Sequence, residues 1–256
     1  MTLAIQRPPE TRGALLCRFP NGQCPLSSSL TVDPDDCVVV TAHGGVLGVV
    51  PPGSYQLHPQ SLPFLSTAVV GGITVQADLW FVKTVALSGV KVGGLFGKVV
   101  DPGTNVACTV RGSGEYSLAV SDPARIVNAC LVARYDEAEP LLAWVSQVVL
   151  RKIGDALNQI VEVERVDVMS PELPTRLGDT VSGELGELGG SGLKFLRLGG
   201  LVISLPPDDA EAIRRAQLGE IGEPAVTPRD TRCARCGREN EGGRFCVECG
   251  TPIAGR

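Results

Sequence analysis

The chain has 256 residues, of which 43 % are hydrophobic and 20 % charged, with a net charge of −5 and a pI near 5.2. That length holds one large domain, or a domain plus a small module. The acidic balance argues against a protein whose main work is coating nucleic acid, which needs a positive field, while leaving room for a local basic patch. Aromatic residues are only 4 % of the chain, so the core must be built mostly from Val, Leu, Ile and Ala. Glycine (31) and proline (19) are spread along the sequence and predict many turns and short strands.

The opening stretch, MTLAIQRPPETRGALL, lacks the basic start, apolar run and small-residue cleavage site of a signal peptide. No run of about 18 to 20 uninterrupted apolar residues occurs; the best candidate, residues 64–87, contains Gln76, Asp78 and Lys83. A cytoplasmic chain is therefore expected. Cytoplasmic thiols stay reduced, so the nine cysteines read as metal ligands and core thiols rather than as a disulfide framework.

From residue 15 to residue 116 the pattern is strand after strand. Residues 38–42 are β-branched and stop at His43-Gly44-Gly45, a turn signal, and residues 46–50 follow, so the pair reads as a hairpin. Tyr55 and Leu57 continue before Pro59. Residues 73–82 alternate for part of their length, with Ile73, Val75, Ala77, Leu79 and Phe81 sharing one face. Residues 99–106 are broken by Asp101-Pro102-Gly103. Residues 108–110 and 116–120 flank Arg111-Gly112-Ser113-Gly114, which reads as another turn.

The period changes at Asp122, a helix N-cap candidate followed by Pro123 at the first helical position. Residues 136–160 carry the clearest helical stripe, through Leu141, Leu142, Val145, Val148, Val149, Ile153, Leu157 and Ile160. Residues 171–188 are a second helix candidate, although Gly178, Gly183 and Gly186 would each cost about 1 kcal/mol against Ala in a helix interior. Such a helix needs packing to persist, against its own sheet or another chain. Gly189-Gly190-Ser191-Gly192 ends it. Residues 193–205 return to strand, and Pro206-Pro207-Asp208-Asp209 opens a short polar helix. Residues 217–231 read as a linker.

The strongest chemical signal is CARCGRENEGGRFCVECG. It holds Cys233-x2-Cys236, nine intervening residues, and Cys246-x2-Cys249. Two such pairs can offer four thiolates to a tetrahedral Zn²⁺ at roughly 2.3 Å each. Gly237 and Gly250 follow the pairs and let the chain turn so that backbone N–H groups point at the sulfurs. A ribbon over residues 232–253 has too little apolar surface to fold alone, so the metal must supply the folding energy. Four cysteine ligands close the site, which makes one zinc structural rather than catalytic. Residues 229–256 hold six arginines against four acids, and a zinc held by four thiolates adds two negative charges. With Phe245 as the only aromatic, the ribbon suits protein contact better than nucleic acid.

Other candidates read as structure. His43 and His58 lie beside turns. Cys17, Cys24, Cys37, Cys108 and Cys130 have no ligand spacing and read as core or surface thiols. Asp33, Asp35 and Asp36 read as a solvated turn before a strand. The glycine pairs form no phosphate loop, and Ser54 sits in no nucleophile elbow. No nucleophile, base and orienting acid assemble, so the chain is read as non-enzymatic.

The order of elements carries a resemblance. LTVDPDDCVVVTAHGGVLGVVPPGSYQL resembles the entry of an SPFH (band-7) domain, found in the stomatin, prohibitin and flotillin superfamily, with its Pro52, Gly53 and Tyr55 turn. QADLWFV is similar to the central strand. GSGEYSLAVSDPARIV, with Arg111, Gly114, Tyr116, Val120, Asp122 and Pro123, is similar to the passage ahead of the first helix, and GLKFLRLGGLVISLP resembles the last strand. The resemblance covers residues 15–216. With the terminal ribbon it points to bacterial SPFH proteins that end in a zinc ribbon, sometimes labelled virion-core-protein-like.

This resemblance implies an α+β fold, with a mainly antiparallel β half, packed helices and a small zinc ribbon. It implies a scaffold or adaptor of a membrane-associated, membrane-stress assembly that binds proteins and forms homo-oligomers. Membrane-embedded relatives carry an apolar hairpin or span that this sequence lacks, so contact with the inner face of a membrane is expected through a partner. Ring-forming relatives continue into a long coiled coil, whereas only a short helix follows Pro207. The alternative reading is a ribbon that binds nucleic acid, with the SPFH-like domain as its oligomerising body.

Overall fold

In the computed structural model, which describes residues 3–219, most of the segments with period-two patterning pair antiparallel. In chain order the strands of the first half are β1 (Ala4–Ile5), β2 (Leu16–Arg18), β3 (Gln23–Pro25), β4 (Ser29–Val32), β5 (Asp36–Ala42), β6 (Gly45–Val50), β7 (Gly53–Gln56), β8 (Val69–Val70), β9 (Thr74–Gln76) and β10 (Asp78–Lys83). They form three small sheets, ordered β1-β4-β7, β2-β10-β5-β6 and β3-β9-β8. Only β1–β4 is parallel among the described pairs.

The second half begins with two long strands, β11 (Leu87–Val100) and β12 (Ala107–Val120), followed by helices α1 (Pro123–Ala133), α2 (Glu139–Asn158) and α3 (Leu173–Glu184), and then β13 (Leu193–Ser204). β11-β12-β13 is a separate antiparallel sheet. The chain divides at Pro206 and Pro207 into two units. Helix α4 (Pro207–Gln217) opens the second, with Asp208 and Asp209 in its first turn and Arg214 and Arg215 in its last, the arrangement the helix dipole favours. The linker beyond Gly219 and the ribbon over 232–253 lie outside the described residues.

The hairpin read from residues 38–50 is β5–β6. Ala42 pairs with Gly45, and the two loop residues, His43 (φ 53°) and Gly44 (φ 78°), both take left-handed backbone, as a tight hairpin turn requires. Strand β5 is buried on both faces. Val38 and Val40 join Leu79, Phe81, Leu30 and Leu65 in the core between the small sheets, while α1 packs on β5 and β6. Trp80 is also buried, and its Nε1–H donates to Thr41 Oγ1 at 3.2 Å. The alternation expected over residues 73–82 holds for Val75, Ala77, Leu79 and Phe81. Ile73 departs from it, 73 % exposed beside the Gly71-Gly72 turn, and the run splits between two sheets.

The turn expected at Arg111-Gly112-Ser113-Gly114 is absent. These residues lie in the middle of β12, where Arg111, Gly112 and Ser113 pair with both neighbours and Gly114 with β11. Their glycines serve close approach. A Cβ on Gly112 would sit 2.3 Å from the Val202 carbonyl oxygen and 2.6 Å from the Phe96 ring. The turn lies earlier, at Asp101. That buried carboxylate accepts from Thr104 N and Thr104 Oγ1 through one oxygen, and from Val168 N at 2.8 Å through the other.

The helices form as the sequence predicts. Asp122 Oδ1 accepts from Ala124 N and Arg125 N, and Pro123 occupies the first turn. Leu141, Val145, Val149, Ile153 and Leu157 are buried along α2, which runs into a π turn at Gln159–Val163. Gly154 lets α2 approach the Phe96 carbonyl, where a Cβ would come within 2.7 Å. Helix α3 survives its glycines because it packs on its own sheet: Gly178 faces the Leu198 carbonyl, and Ser182 Oγ accepts from Leu198 N at 2.9 Å.

Candidate functional site

The four cysteines predicted to hold zinc, Cys233, Cys236, Cys246 and Cys249, lie outside the described residues. The other five are all buried, as core thiols should be. Burial pushes the Cys37 and Cys130 thiols up to about 11 and raises Cys17 and Cys24. Thiols held neutral in this way are poor nucleophiles and poor ligands. Among the described residues no three His, Cys, Asp or Glu side chains are placed to share a metal ion.

The histidines occupy turns. His43 is at the β5–β6 tip, and His58 Nδ1 accepts from Gln60 N. His43 borders a polar hollow with Asn21, Gln23, Thr41, Gln76 and Asp78. The Asp78 carboxylate is committed to Arg18 at 2.9 Å. Arg18 also reaches Asp136 at 2.7 Å and lies over the Trp80 ring. This cluster ties β2 and β10 to the connection between α1 and α2.

The VDPDD stretch divides. Asp33 and Asp35 are exposed, but Asp36 is buried and paired with Arg7. That corrects the reading of all three as a solvated turn. The partner lies 29 residues away, beyond the reach of any local pattern.

The feature that sequence reasoning missed is the uncovered face of β11-β12-β13. Helices α2 and α3 cover one face, burying Val92, Phe96, Tyr116, Leu118 and Leu198. Register places Lys91, Lys98, Arg111, Lys194 and Arg197 on the other. All five are exposed, and none lies within ion-pair distance of a described carboxylate. The acids on this side are Glu115 and, bridged to Lys194 at the rim, Glu187. Between the cations lie Leu95 and Val202, 56 % and 64 % exposed. The sheet's aromatic residues, Phe96, Tyr116 and Phe195, are buried. An open, cationic face with an apolar centre and no stacking ring can take a protein surface of opposite charge.

Signal for this face was present in the alternation of KVGGLFGK and LKFLR. It was obscured because the register shifts between Leu95 and Gly97 and between Ser117 and Leu118, so a simple period of two assigns the wrong face past each shift.

Residues 18–219 match the family described as SPFH domain-Band 7 family. No curated protein matches the chain.

Proposed function

The chain belongs to the SPFH domain–Band 7 family, and from that premise we propose that it is a non-enzymatic adaptor in a bacterial membrane-associated, membrane-stress assembly. The family match over residues 18–219 carries the reading, since members of this family are in general scaffolds. In this reading the SPFH domain docks one partner protein and the C-terminal ribbon recruits another. Cys233, Cys236, Cys246 and Cys249 hold one structural Zn²⁺ that folds the ribbon.

Two observations support the adaptor role over a catalytic one. Asp78, the carboxylate that lines the polar hollow beside His43, is spent on an ion pair with Arg18. The open sheet face is cationic in a chain of net charge −5, which concentrates attraction on one side of the domain. Among the described residues no helix is long and apolar enough to cross a membrane, consistent with membrane contact made through a partner. The alternative, a nucleic-acid-binding ribbon, draws no support from the sheet face, whose aromatic rings all point inward.

The test is affinity capture from the native host with the full chain and with a chain stopped at Arg229. Membrane or membrane-stress proteins retained only by the full chain would make the ribbon the recruiting arm. Nuclease-sensitive nucleic acid retained only by the full chain would replace the adaptor reading with the alternative. Capture of neither would overturn both.

A further inference from the structure

The long sheet has one closed edge and one bare edge. On the outer side of β13, the Leu193 carbonyl accepts from Leu188 N, Phe195 N donates to the Gly186 carbonyl and Leu198 N donates to Ser182 Oγ, each at 2.9 Å. Helix α3 and the loop after it therefore occupy that strand over residues 193–198. Strand β11 runs for 14 residues and pairs only with β12 among the described strands. No described turn or loop bonds its backbone to residues 87–100 from the other side. A row of N–H and C=O groups left open in this way is a template for a further strand. Bulges interrupt β11 after Leu87 and after Leu95, but residues 90–95 pair one to one with residues 111–116 and run regularly.

The side chains along this run decide which strand suits it. Lys91, Gly93 and Leu95 alternate on the open face, Lys98 follows past the bulge, and all four residues are exposed. Lysines on an edge strand guard against unwanted pairing. Guarding leaves the other cations unexplained, because Arg111 lies on the central strand and Lys194 and Arg197 on the closed stretch of β13. Glu115, opposite Lys91, leans towards Gly89, where its Oε2 would lie 3.8 Å from an added Cβ. We propose that the bare edge of β11 takes an acidic, extended segment of a partner protein as a fourth strand. Its carboxylates lie beside Lys91 and Lys98, and an apolar side chain lies over Gly93. Gly93 raises no side chain above the sheet, and beside it is a hollow lined by Leu95, Arg111, Ser113 and Val202. Backbone pairing holds the segment and alternate side chains select it, while the cations further in draw it by charge. The inference rests on the adaptor reading, in which this domain docks one partner, and names the chemistry of the docked segment. The two fail separately, because one is tested with peptides on the purified chain and the other by capture from the host.

The experiment selects a random-peptide display library on the purified full chain, then measures the enriched peptides, made synthetically, by fluorescence anisotropy. Enriched peptides should carry acidic residues alternating with an apolar one. Their binding should weaken at least about tenfold between about 0.1 M and about 1 M salt, as the screening length falls from about 10 Å to about 3 Å. Methylation of single peptide amides should weaken binding about tenfold at every second position and little between, because a strand shows alternate N–H groups to its neighbour. Lys91→Glu with Lys98→Glu should weaken binding at least about tenfold. Thermal melts confirm folding, and Lys91→Gln with Lys98→Gln stands in if the reversed pair does not fold. A library that yields no acidic peptide, peptides that bind parent and variant alike, or amide methylation without alternation would each overturn the proposal. So would a purified chain that pairs with a second copy through this edge, or one that binds anionic phospholipid vesicles but no acidic peptide through the same lysines.

Discussion

Arg7 Nη1 lies 2.6 Å from Asp36 Oδ1, with the two side chains only 2 % and 4 % exposed. The guanidinium also donates to the Ala14 and Thr11 carbonyls, so its donors are used inside the fold. Burial pushes the Asp36 carboxyl above its ordinary value, more than Arg7 pulls it down. Removing Arg7 would strand a buried carboxylate, whereas replacing both groups with apolar ones would not. Arg7→Met should cost about 3 to 5 kcal/mol at pH 7, and Arg7→Met with Asp36→Val should recover most of it, measured by urea unfolding.

The pH dependence of that variant follows from linkage. A carboxyl whose folded value is raised binds more protons folded than unfolded, so stability rises as pH falls through that window. Loss of Arg7 enlarges the rise. The penalty of Arg7→Met should therefore shrink from pH 7 towards pH 4. A penalty that grows with acid would show that Arg7 does not favour the charged form of Asp36.

Three glycines on the helices make opposite predictions. Gly183 in α3 meets no atom within 4 Å of an added Cβ, so Gly183→Ala should gain about 0.5 to 1 kcal/mol from reduced backbone freedom of the unfolded chain. Gly154 in α2 would put a Cβ 2.7 Å from the Phe96 carbonyl oxygen. There the overpacking cost, about 1 to 3 kcal/mol, should exceed the propensity gain of about 1 kcal/mol. Gly178, with 3.3 Å to the Leu198 carbonyl, should fall between them. Thermal melts of the three alanine variants should rank Gly183→Ala above Gly178→Ala above Gly154→Ala.

The start of α1 offers a second local test. Asp122 caps two backbone N–H groups, and its carbonyl lies against Gly192, where a Cβ would come within 2.4 Å at a φ of 81°. Asp122→Ala should cost about 1 kcal/mol. Gly192→Ala combines a backbone clash with left-handed strain, so it should cost more than the lost cap. Equal costs would mean that the Gly189–Gly192 turn shifts freely.

Local chemistry accounts for what was legible in the sequence. The β5–β6 hairpin, the Asp122 cap and the α2 stripe each rest on residues close together in the chain, where turn chemistry and period act directly. The Arg111–Gly114 stretch misled because glycine marks both turns and close approaches; only the position of Val202 and Phe96 in space tells which. Arg7–Asp36 was invisible for a related reason, since its two members lie far apart in the chain and meet only in the fold. The cationic face required knowing where the bulges fall. The cysteine cluster is a proposal made from spacing alone, because metal spacing is written in four residues and those four lie outside the described ones.

The nine cysteines turn that contrast into a count. Five are buried, and burial holds Cys37 and Cys130 protonated up to about 11, so at pH 7 they offer almost no thiolate. If Cys233, Cys236, Cys246 and Cys249 hold one zinc, their thiolates are also protected. The native chain should then react slowly with a disulfide reagent. A chelator should release one zinc per chain and expose four fast thiols, and urea should expose all nine. Cys236→Ser should abolish stoichiometric zinc while leaving the melting of the SPFH domain unchanged. Four fast thiols before chelation, or one retained zinc in Cys236→Ser, would rule out the four-cysteine site. The buried thiols make a separate alkaline prediction. Their folded values lie above the ordinary 9.0, so between pH 9 and about 11 the unfolded chain has lost protons that the folded chain still holds. Stability should be intact below pH 9 and fall as pH rises through that window, and Cys130→Ala should make the fall shallower.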